Sequence, residues 1–224
     1  CRDPLDPDYV NISSLVHYAP IPKLAKYTRI VVLQLADVDQ EKFECLSFFR
    51  YLLDGGELGL RYERNHGVNY CMIFDARGFS ASNHIAKIKP LVVKDMIYYL
   101  TKTLPLRFGN IFIINAPHLL AVTVNNLVMP VLSKKIKSRM HITANGFEEV
   151  SQYFDKSTLP SDYGGDQPSM KELSDFWKAL KIERRDWFMN ELSERCDESK
   201  RIAIEDLTNP YFGVPGSLKK LVVD

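Results

Sequence analysis

The chain has 224 residues, of which 46% are hydrophobic and 25% charged, so it can bury one well-formed core. Its formal net charge of +1 argues against a large overall attraction to nucleic acid. No apolar run approaches the roughly 20 residues that a helix needs to cross a bilayer. We therefore expect one monomeric globular domain with modest extensions.

The first predicted elements are a strand and a long helix. The run RIVVLQLA (29–36) is continuous, apolar and rich in β-branched residues, which predicts a buried strand. Asp37 and Gln40 resemble a capping box, and the apolar residues that follow keep helical spacing to Tyr62.

The same alternation of strand and helix continues along the chain. A helical pattern in KIKPLVVKDMIYYLTKTLP ends at Pro105, and a second, more apolar one follows Pro117. The strands predicted around these helices are 69–75, 110–117 and a shorter one at 139–144. Strands that alternate with helices predict crossover connections, a mostly parallel sheet and an α/β fold.

The composition becomes charged and helical after Gln167. Ser169 and Glu172 have the spacing of a capping box for this late helix. The apolar side chains of the final stretch favour packing on the body of the domain over disorder; they are Tyr211, Phe212, Leu218 and Leu221.

No pattern predicts an enzyme, a cofactor or a metal site. GFSAS (78–82) resembles a nucleophile elbow but lacks its last glycine, so an exposed nucleophilic Ser80 is not supported. The histidines are scattered, and the spacing of the cysteines favours free thiols over disulfides or a metal site. DGGELG (54–59) follows no strand and lacks the residues of a P-loop. Either the approach of a ligand or second helix, or a frayed helix end, would explain these glycines inside a helical pattern.

The segment APHLLAVTVNNLVMPVLSKKIKSR (116–139) joins an unusually apolar helix to four positive charges within six residues. Each half alone is typical of a core helix and of a solvated face. Together they indicate a membrane-facing element, because apolar insertion and attraction to anionic head groups reinforce each other.

The motif LPSDYGG (159–165) has the composition of a tight corner. Pro160 ends the helical pattern, Gly164 and Gly165 permit positive φ, and Asp162 and Tyr163 can form hydrogen bonds across the turn. An architectural role is favoured over direct contact with a ligand.

Several of these motifs together resemble one known family. LPSDYGG is similar to the LPxEYGG signature of CRAL-TRIO lipid-binding domains, with Asp162 where glutamate is usual. The likeness continues through MIFDARGFS, PLVVKDMIYYLTKTLPLRFGNIFIINAP and VLSKKIKSRMHI, in the family's order. It covers about residues 10–180 and is closest to tocopherol transfer and cellular retinaldehyde-binding proteins, with a tail similar to that of insect members.

The resemblance implies a sheet that floors a deep apolar pocket, closed by a mobile helical lid that begins at Pro117. It implies a CRAL-TRIO domain at residues 1–165, with its core from about residue 10. Residues 166–224 would form a C-terminal helix and tail packed on the same domain. The helical bundle that usually precedes the domain is expected to be absent from this chain.

The resemblance also implies two sets of site residues. The basic cleft that contacts phosphoinositides would contain Arg107, Lys135 and Arg139, assisted by Lys134 and Lys137, with Gly109 in place of a further arginine. Leu52 and Gly56 stand where tocopherol carriers have serines, so a larger or purely apolar ligand would fit. The ligand-binding set is Phe49, Leu52, Gly56, Tyr70, Met72, Phe74, Met96, Tyr99, Leu100, Leu104, Leu106 and Ile111, with lid residues Val122, Val124, Leu127 and Val128.

We therefore expect a cytoplasmic, non-enzymatic carrier of a tocopherol, retinoid or carotenoid type of ligand. Its contact with membranes would be transient and would depend on anionic phosphoinositides. The alternatives are a phospholipid- or phosphoinositide-binding regulatory or protein-interaction module and, with less support, a lipid esterase.

Overall fold

In the computed structural model the described residues are 2–36, 39–62, 69–191, 193–194 and 197. The chain divides into two compact units, 1–188 and 189–224, and the features below belong to the first, apart from the last three residues of α8. The predictions for Asp37 and for the tail residues Tyr211, Phe212, Leu218 and Leu221 lie outside the described residues.

Helices and strands alternate as the sequence predicts. The strands are β1 (Val16–Pro20), β2 (Thr28–Leu35), β3 (Asn69–Asp75), β4 (Phe108–Ile114) and β5 (Met140–Ile142). The α-helices of the described residues are α1 (Pro7–Leu15), α2 (Cys45–Tyr62), α3 (Pro90–Tyr98), α4 (His118–Thr123), α5 (Lys134–Lys137), α6 (Glu148–Ser151), α7 (Met170–Glu183) and α8 (Arg185–Glu191). Among them, none is both long and apolar enough to cross a membrane.

Two of these helices end in a π-helical turn. Tyr99–Thr103 continues α3, and Val124–Val128 continues α4. Short 3₁₀ segments follow at Met129–Val131 and elsewhere in the loops.

The five strands form one sheet in the order β1-β2-β3-β4-β5. Strand β1 pairs antiparallel with β2, and the other neighbours are parallel. Because the parallel strands follow one another in chain order and such crossovers are right-handed, their connecting helices lie on one face. The α/β class is therefore confirmed, while β1 was not predicted.

The two faces of the sheet carry separate cores. On one face the strand residues Ile30, Ile73 and Phe112 pack with Trp177 and Leu180 of α7. The opposite face carries Val31, Leu33, Tyr70, Met72 and Phe74, which pack with α1, α2 and α3. The period-2 alternation of strand side chains thus assigns one face to α7 and the other to the crossover helices.

The start of α2 differs from the prediction. The helix begins at Cys45, and the Glu44 carboxylate accepts a hydrogen bond from the Ser47 N–H at 2.7 Å. The buried Gln40 amide instead donates to the carbonyls of Leu15 and Ala36, at 3.2 and 3.0 Å. Gln40 therefore joins the end of α1 to the end of β2 and does not cap α2.

The capping box of α7 is present as predicted. The Ser169 hydroxyl accepts a hydrogen bond from the Glu172 N–H, and the Glu172 carboxylate accepts one from the Ser169 N–H. Of the four cysteines, Cys45 and Cys71 lie in the described residues, and both are buried free thiols.

Candidate functional site

Two apolar cavities adjoin on the sheet face covered by the crossover helices. The inner cavity, of about 40 Å³, contacts Val31, Tyr70 and Met72 near the amino ends of the parallel strands. The outer cavity, of about 150 Å³, contacts Leu33 and Phe74 two residues further along the same strands. The two cavities are therefore consecutive along the strand direction of one sheet face.

Apart from the four lid residues, twelve residues were predicted to bind the ligand, and the structure places nine of them at these cavities. The long helix α2 supplies Phe49 to the outer cavity and, one turn later, Leu52 to the inner one. The residues at the inner cavity are Leu52, Gly56, Tyr70, Met72, Leu100, Leu104 and Leu106, and those at the outer cavity are Phe49 and Phe74.

The other three body residues lie elsewhere. Met96 is buried in the core shared by α2 and α3, and Ile111 is half-buried on β4 opposite Met72. The Tyr99 hydroxyl donates to the Glu57 carboxylate, which also pairs with Arg2. This pair of contacts ties the π-helical turn after α3 to α2 beside the inner cavity.

Sequence reasoning missed the contribution of β2 to the cavities. Val31, Leu33 and Leu35 alternate along the strand and face the cavities, whereas the apolar run by itself predicts only a buried strand. The alternation i, i+2, i+4 was the available signal. Sequence reasoning also missed four ring side chains of the outer cavity, which lie in the loop before α2, in its first turn and in the loop after β3. They are Phe43, Phe48, Phe79 and His84.

The glycines of DGGELG lie inside α2, where the close neighbour is strand β1 and not the second helix that the sequence suggests. A Cβ at Gly55 would lie 2.4 Å from the Tyr18 ring, so this glycine admits β1 against the helix. A Cβ at Gly56 would meet no atom within 4 Å, because Gly56 faces the inner cavity. The frayed-end explanation is wrong, since α2 continues to Tyr62.

The segment predicted to form a lid, which begins at Pro117, has an inner and an outer side. Val124 is buried and Val128 half-buried, and they pack with Leu120, which also contacts the outer cavity. Val122 and Leu127 are each 38% exposed and lie on the outer side. The spacing i, i+4, i+8 of the inner residues places them on one side of a continuous helical segment.

Cationic side chains gather at the amino-terminal edge of β4 and β5. Arg107 directly precedes β4, and the Arg139 guanidinium donates to the Phe108 carbonyl. Lys134 and Lys135 begin α5, whose N-cap is Ser133. Within the described ranges, neither these residues nor Lys137 form an ion pair. Among the residues that the structure describes, this edge therefore holds positive charge that no ion pair neutralises.

The corner LPSDYGG joins the sheet to α7. The Asp162 carboxylate accepts a hydrogen bond from the Met170 N–H at 2.5 Å, and the Tyr163 hydroxyl donates to Asp75 at 2.9 Å. The Asp162 and Tyr163 side chains therefore bond outside the turn, while backbone hydrogen bonds from Tyr163, Gly164 and Gly165 close it. Gly164 has φ +73°, but Gly165 does not have a positive φ; a Cβ there would lie 1.9 Å from the Leu159 carbonyl oxygen.

Asp75 is the buried anchor of this corner. Its carboxylate accepts hydrogen bonds from Arg77 Nε at 2.8 Å, from Asn115 Nδ2 at 2.8 Å and from Tyr163. Burial opposes ionisation, but the hydrogen bonds outweigh it and lower the pKa of Asp75. The ionised Asp75 carboxylate and its three donors satisfy one another's hydrogen-bonding capacity, so this carboxylate has a structural role.

The segment that resembles a nucleophile elbow has no activated serine. His84 Nδ1 accepts a hydrogen bond from the backbone N–H of Ser80 at 3.0 Å, and the Ser80 hydroxyl accepts one from the Asn83 N–H at 3.2 Å. A general base would have to accept the hydroxyl proton. This geometry gives no support to an esterase that uses Ser80 and His84.

Comparison with known proteins decides the family. A family model described as the CRAL/TRIO domain matches residues 25–165. The chain belongs to the CRAL/TRIO domain family. This is a family of lipid-binding and lipid-transfer proteins, so membership supports a lipid-binding role for the CRAL/TRIO domain of this chain.

The CRAL/TRIO chain is similar to curated clavesins. It is 25% identical to Clavesin-2 of Rattus norvegicus over 140 residues, which are 62% of this chain and 42% of that protein. It is 24% identical to Clavesin-1 of Xenopus laevis over 140 residues, with the same coverage. The matched region is thus less than half of each clavesin. The nearer likeness to tocopherol and retinaldehyde carriers stays a prediction.

A solved structure with the same fold is the crystal structure of Sfh5. The TM-score is 0.50 at 13% identity, over 79% of this chain and 65% of that chain. At this identity the likeness concerns the fold alone.

Proposed function

We propose that this chain carries a hydrophobic ligand of the tocopherol, retinoid or carotenoid type and exchanges it at membranes that contain phosphoinositides. The observation that carries the proposal is the pair of consecutive apolar cavities on the sheet face beneath α2, α3 and the lid. No Lys or Arg lies among the described residues that contact them. Such walls suit an uncharged ligand.

The volumes indicate that loading requires a wider pocket. The cavities measure about 40 and 150 Å³, whereas drug-sized ligands occupy pockets of about 300–1,000 Å³. A cavity of about 150 Å³ holds a molecule the size of benzene. A longer ligand would therefore run along β3 through both cavities, displacing the side chains between them and moving the lid outward.

The outer side of the lid and the basic edge support exchange at a membrane. Val122, Leu127 and Val131 expose apolar surface, and Lys134 and Lys135 follow at once. Each cation near an anionic leaflet is worth about 1 kcal/mol. A bilayer is as apolar as the pocket, so transfer between the two is reversible. Binding of the head group could then control release only if it favours the open lid.

Native mass spectrometry followed by organic extraction tests the carrier function. The purified chain is incubated with phosphatidylcholine vesicles containing α-tocopherol, retinal or a carotenoid, and the bound molecule is identified. We expect one apolar molecule per chain. A protein that takes up none of these and releases no lipid on extraction would refute the carrier function.

Vesicle flotation tests the membrane contact. We expect the double variant Lys134→Glu and Lys135→Glu to lose most of its binding to vesicles with a few per cent phosphatidylinositol bisphosphate. The double variant Lys156→Glu and Lys171→Glu changes two exposed lysines elsewhere on the surface, so it alters the net charge equally and should bind nearly as the parent does. Equal binding to phosphatidylserine vesicles of the same charge would indicate general anionic attraction without phosphoinositide recognition.

A further inference from the structure

One buried donor in the outer cavity points to the chemistry of the ligand. His84 is 0% exposed and lies in the cavity wall. Its Nδ1 accepts a hydrogen bond from the Ser80 N–H, so Nδ1 carries no proton. In a neutral imidazole the proton then lies on Nε2, which is a hydrogen-bond donor.

This donor has no acceptor in the described part of the chain. His84 Nε2 is buried and without a hydrogen-bond partner there. One ring face stacks on Phe79 at 4.5 Å between centroids, and Phe43 lies 4.9 Å away; both are cavity residues. With Nδ1 held by Ser80, the Nε2 edge is the one left for an occupant. A buried unpartnered donor is rare in native proteins and calls for an explanation.

The other polar residues of the outer cavity cannot replace His84 in this role. The Asp75 carboxylate is an acceptor and is already occupied by Arg77, Asn115 and Tyr163. The Cys45 thiol is only a weak donor, and burial raises its pKa. Among the described side chains around this cavity, His84 therefore offers the one strong donor without a partner.

We propose that His84 Nε2–H binds an oxygen acceptor at one end of the ligand, and that the ligand is therefore a neutral apolar molecule with a terminal carbonyl, hydroxyl or ester oxygen. This inference rests on the proposed carrier function and narrows it. Pure hydrocarbons leave the donor unsatisfied and bind less well. The oxygen lies in the outer cavity, near the carboxyl ends of the strands, and the apolar remainder extends toward the inner cavity.

The charge state of the site agrees with a neutral ligand. Burial lowers the pKa of His84, so the imidazole is uncharged at neutral pH. No described residue of either cavity supplies a cation for a carboxylate. A buried carboxylate without a partner is strongly disfavoured, which argues against a free fatty acid.

Competitive uptake of a matched pair of probes tests the proposal. Vesicles contain equal amounts of nonadecane and heptadecyl methyl ketone, which have the same chain length and differ by one carbonyl. The protein is separated from the vesicles, and the ratio of ketone to alkane in its extract is measured. We expect an enrichment of the ketone of about tenfold for the parent chain, the size of one buried hydrogen bond.

Two substitutions assign the preference to His84. In His84→Asn the side-chain oxygen can still accept from Ser80 while the Nε2–H donor is removed, so the enrichment should fall to near one. His84→Gln can place an N–H donor near the Nε2 position and should keep part of the enrichment. His141→Asn is the control, because His141 stacks on Phe112 of the opposite sheet face.

Each outcome is decisive. Uptake of both probes without preference, or a preference that survives in both His84 variants, would overturn the role of His84 and leave the carrier function intact. Failure of the parent chain to take up either probe or any lipid would refute the carrier function itself. If His84→Asn does not fold, the parent ratio and the Gln variant still decide.

Discussion

At the scale of single residues, a substitution at Gly56 should change ligand uptake without lowering the stability of the fold. A Cβ at this position meets no atom within 4 Å, and the residue faces the inner cavity from inside α2. Replacing a helical glycine by a better helix former stabilises by about 0.5–1 kcal/mol. We expect Gly56→Leu to keep or raise the thermal midpoint but to lower ligand uptake several-fold, as measured by extraction. Gly56→Ala is the control and should keep uptake; equal loss in both variants would contradict a volume effect.

Substituting either glycine of the corner should destabilise the fold, but for different physical reasons. A Cβ at Gly165 would lie 1.9 Å from the Leu159 carbonyl oxygen, so backbone must move. Gly164 has open space but a left-handed φ of +73°, which costs a residue with a Cβ about 1–2 kcal/mol. We expect Gly165→Ala to lower the free energy of unfolding by more than Gly164→Ala does, and by at least about 2 kcal/mol. Urea unfolding measures both, and the reverse order would show that the corner relaxes freely.

Lys181 makes stability depend on pH. Its amine is buried against the Tyr51 ring, 3.4 Å from the centroid, and donates to the Tyr51 carbonyl at 3.1 Å. Burial lowers the pKa of Lys181 from 10.5 to about 7. Above pH 7 the unfolded chain therefore holds a proton that the folded chain has released, and the free energy of unfolding rises with pH.

We expect this rise to be about 1.6 kcal/mol between pH 7 and 8.5, since one proton gives at most about 1.4 kcal/mol per pH unit and about half of that at pH 7. Lys181→Met should remove it. The exposed Lys171→Met, which loses only a surface pair with Asp175, should leave the slope unchanged. A slope that persists in Lys181→Met would assign it to another group. Burial raises the pKa of Asp54 to about 6, so its titration changes the free energy of unfolding mainly below pH 7.

At the scale of elements, the lid presents apolar side chains to solvent that contribute little to folding. Val122 and Leu127 are each 38% exposed. We expect the double variant Val122→Ser and Leu127→Ser to lower the rate of ligand transfer between vesicles several-fold, because less apolar area enters the interface. The thermal midpoint should change by no more than about 2 °C. Ile182→Ser, a 50% exposed control on α7, should leave the transfer rate unchanged.

Elements with a long periodic pattern were predictable, and short or irregular ones were not. The strands β2, β3 and β4 and the helices α2 and α3 follow from apolar period and stop signals. The five residues of β1 gave too short a pattern, since their strand state comes from pairing with β2. Gln40 resembled a capping residue but bonds to carbonyls that only the folded chain brings near. The π-helical turns after α3 and α4 have no composition signal of their own.

The candidate site, too, was predictable where the sequence pattern is regular and not where a residue's role depends on contacts formed by folding. Nine of the twelve positions inferred from the resemblance reach the cavities. Six of them lie on α2 and β3, whose period fixes their direction, whereas Leu100 lies in a π-helical turn and Leu104 and Leu106 lie in the connection before β4. Tyr99 departs because its hydroxyl finds Glu57, a partner that sequence spacing does not reveal. His84 was one of five scattered histidines, and its significance depends on the Ser80 N–H and on two aromatic rings.

At the scale of the whole molecule, the two sheet faces have different tasks. The face under α7 is filled by Trp177, Phe112, Phe188 and Met170, all at most 3% exposed. The other face holds both cavities under helices that carry the lid and the π-helical turns. Substitutions on the α7 face should therefore affect unfolding, and those on the cavity face should affect uptake.

This division gives the molecule an unusual response to hydrostatic pressure. The outer cavity of about 150 Å³ corresponds to roughly 90 mL/mol, near the upper end of the volume changes that accompany unfolding. Pressure therefore works against the empty protein, because unfolding or flooding removes the void. A carrier filled by its cargo has no such volume to lose.

We expect the loaded chain to unfold at a clearly higher pressure than the empty one, by more than their thermal midpoints would suggest. Fluorescence of Trp177 and Trp187, which pack in or against the filled α7 face, reports the transition without contact with the cargo. Identical pressure midpoints would mean that the cavity is already filled by water or by rearranged side chains before cargo arrives. Measurements of compressibility would then distinguish a protein that keeps its cavity without ligand from one whose cavity closes when the ligand leaves.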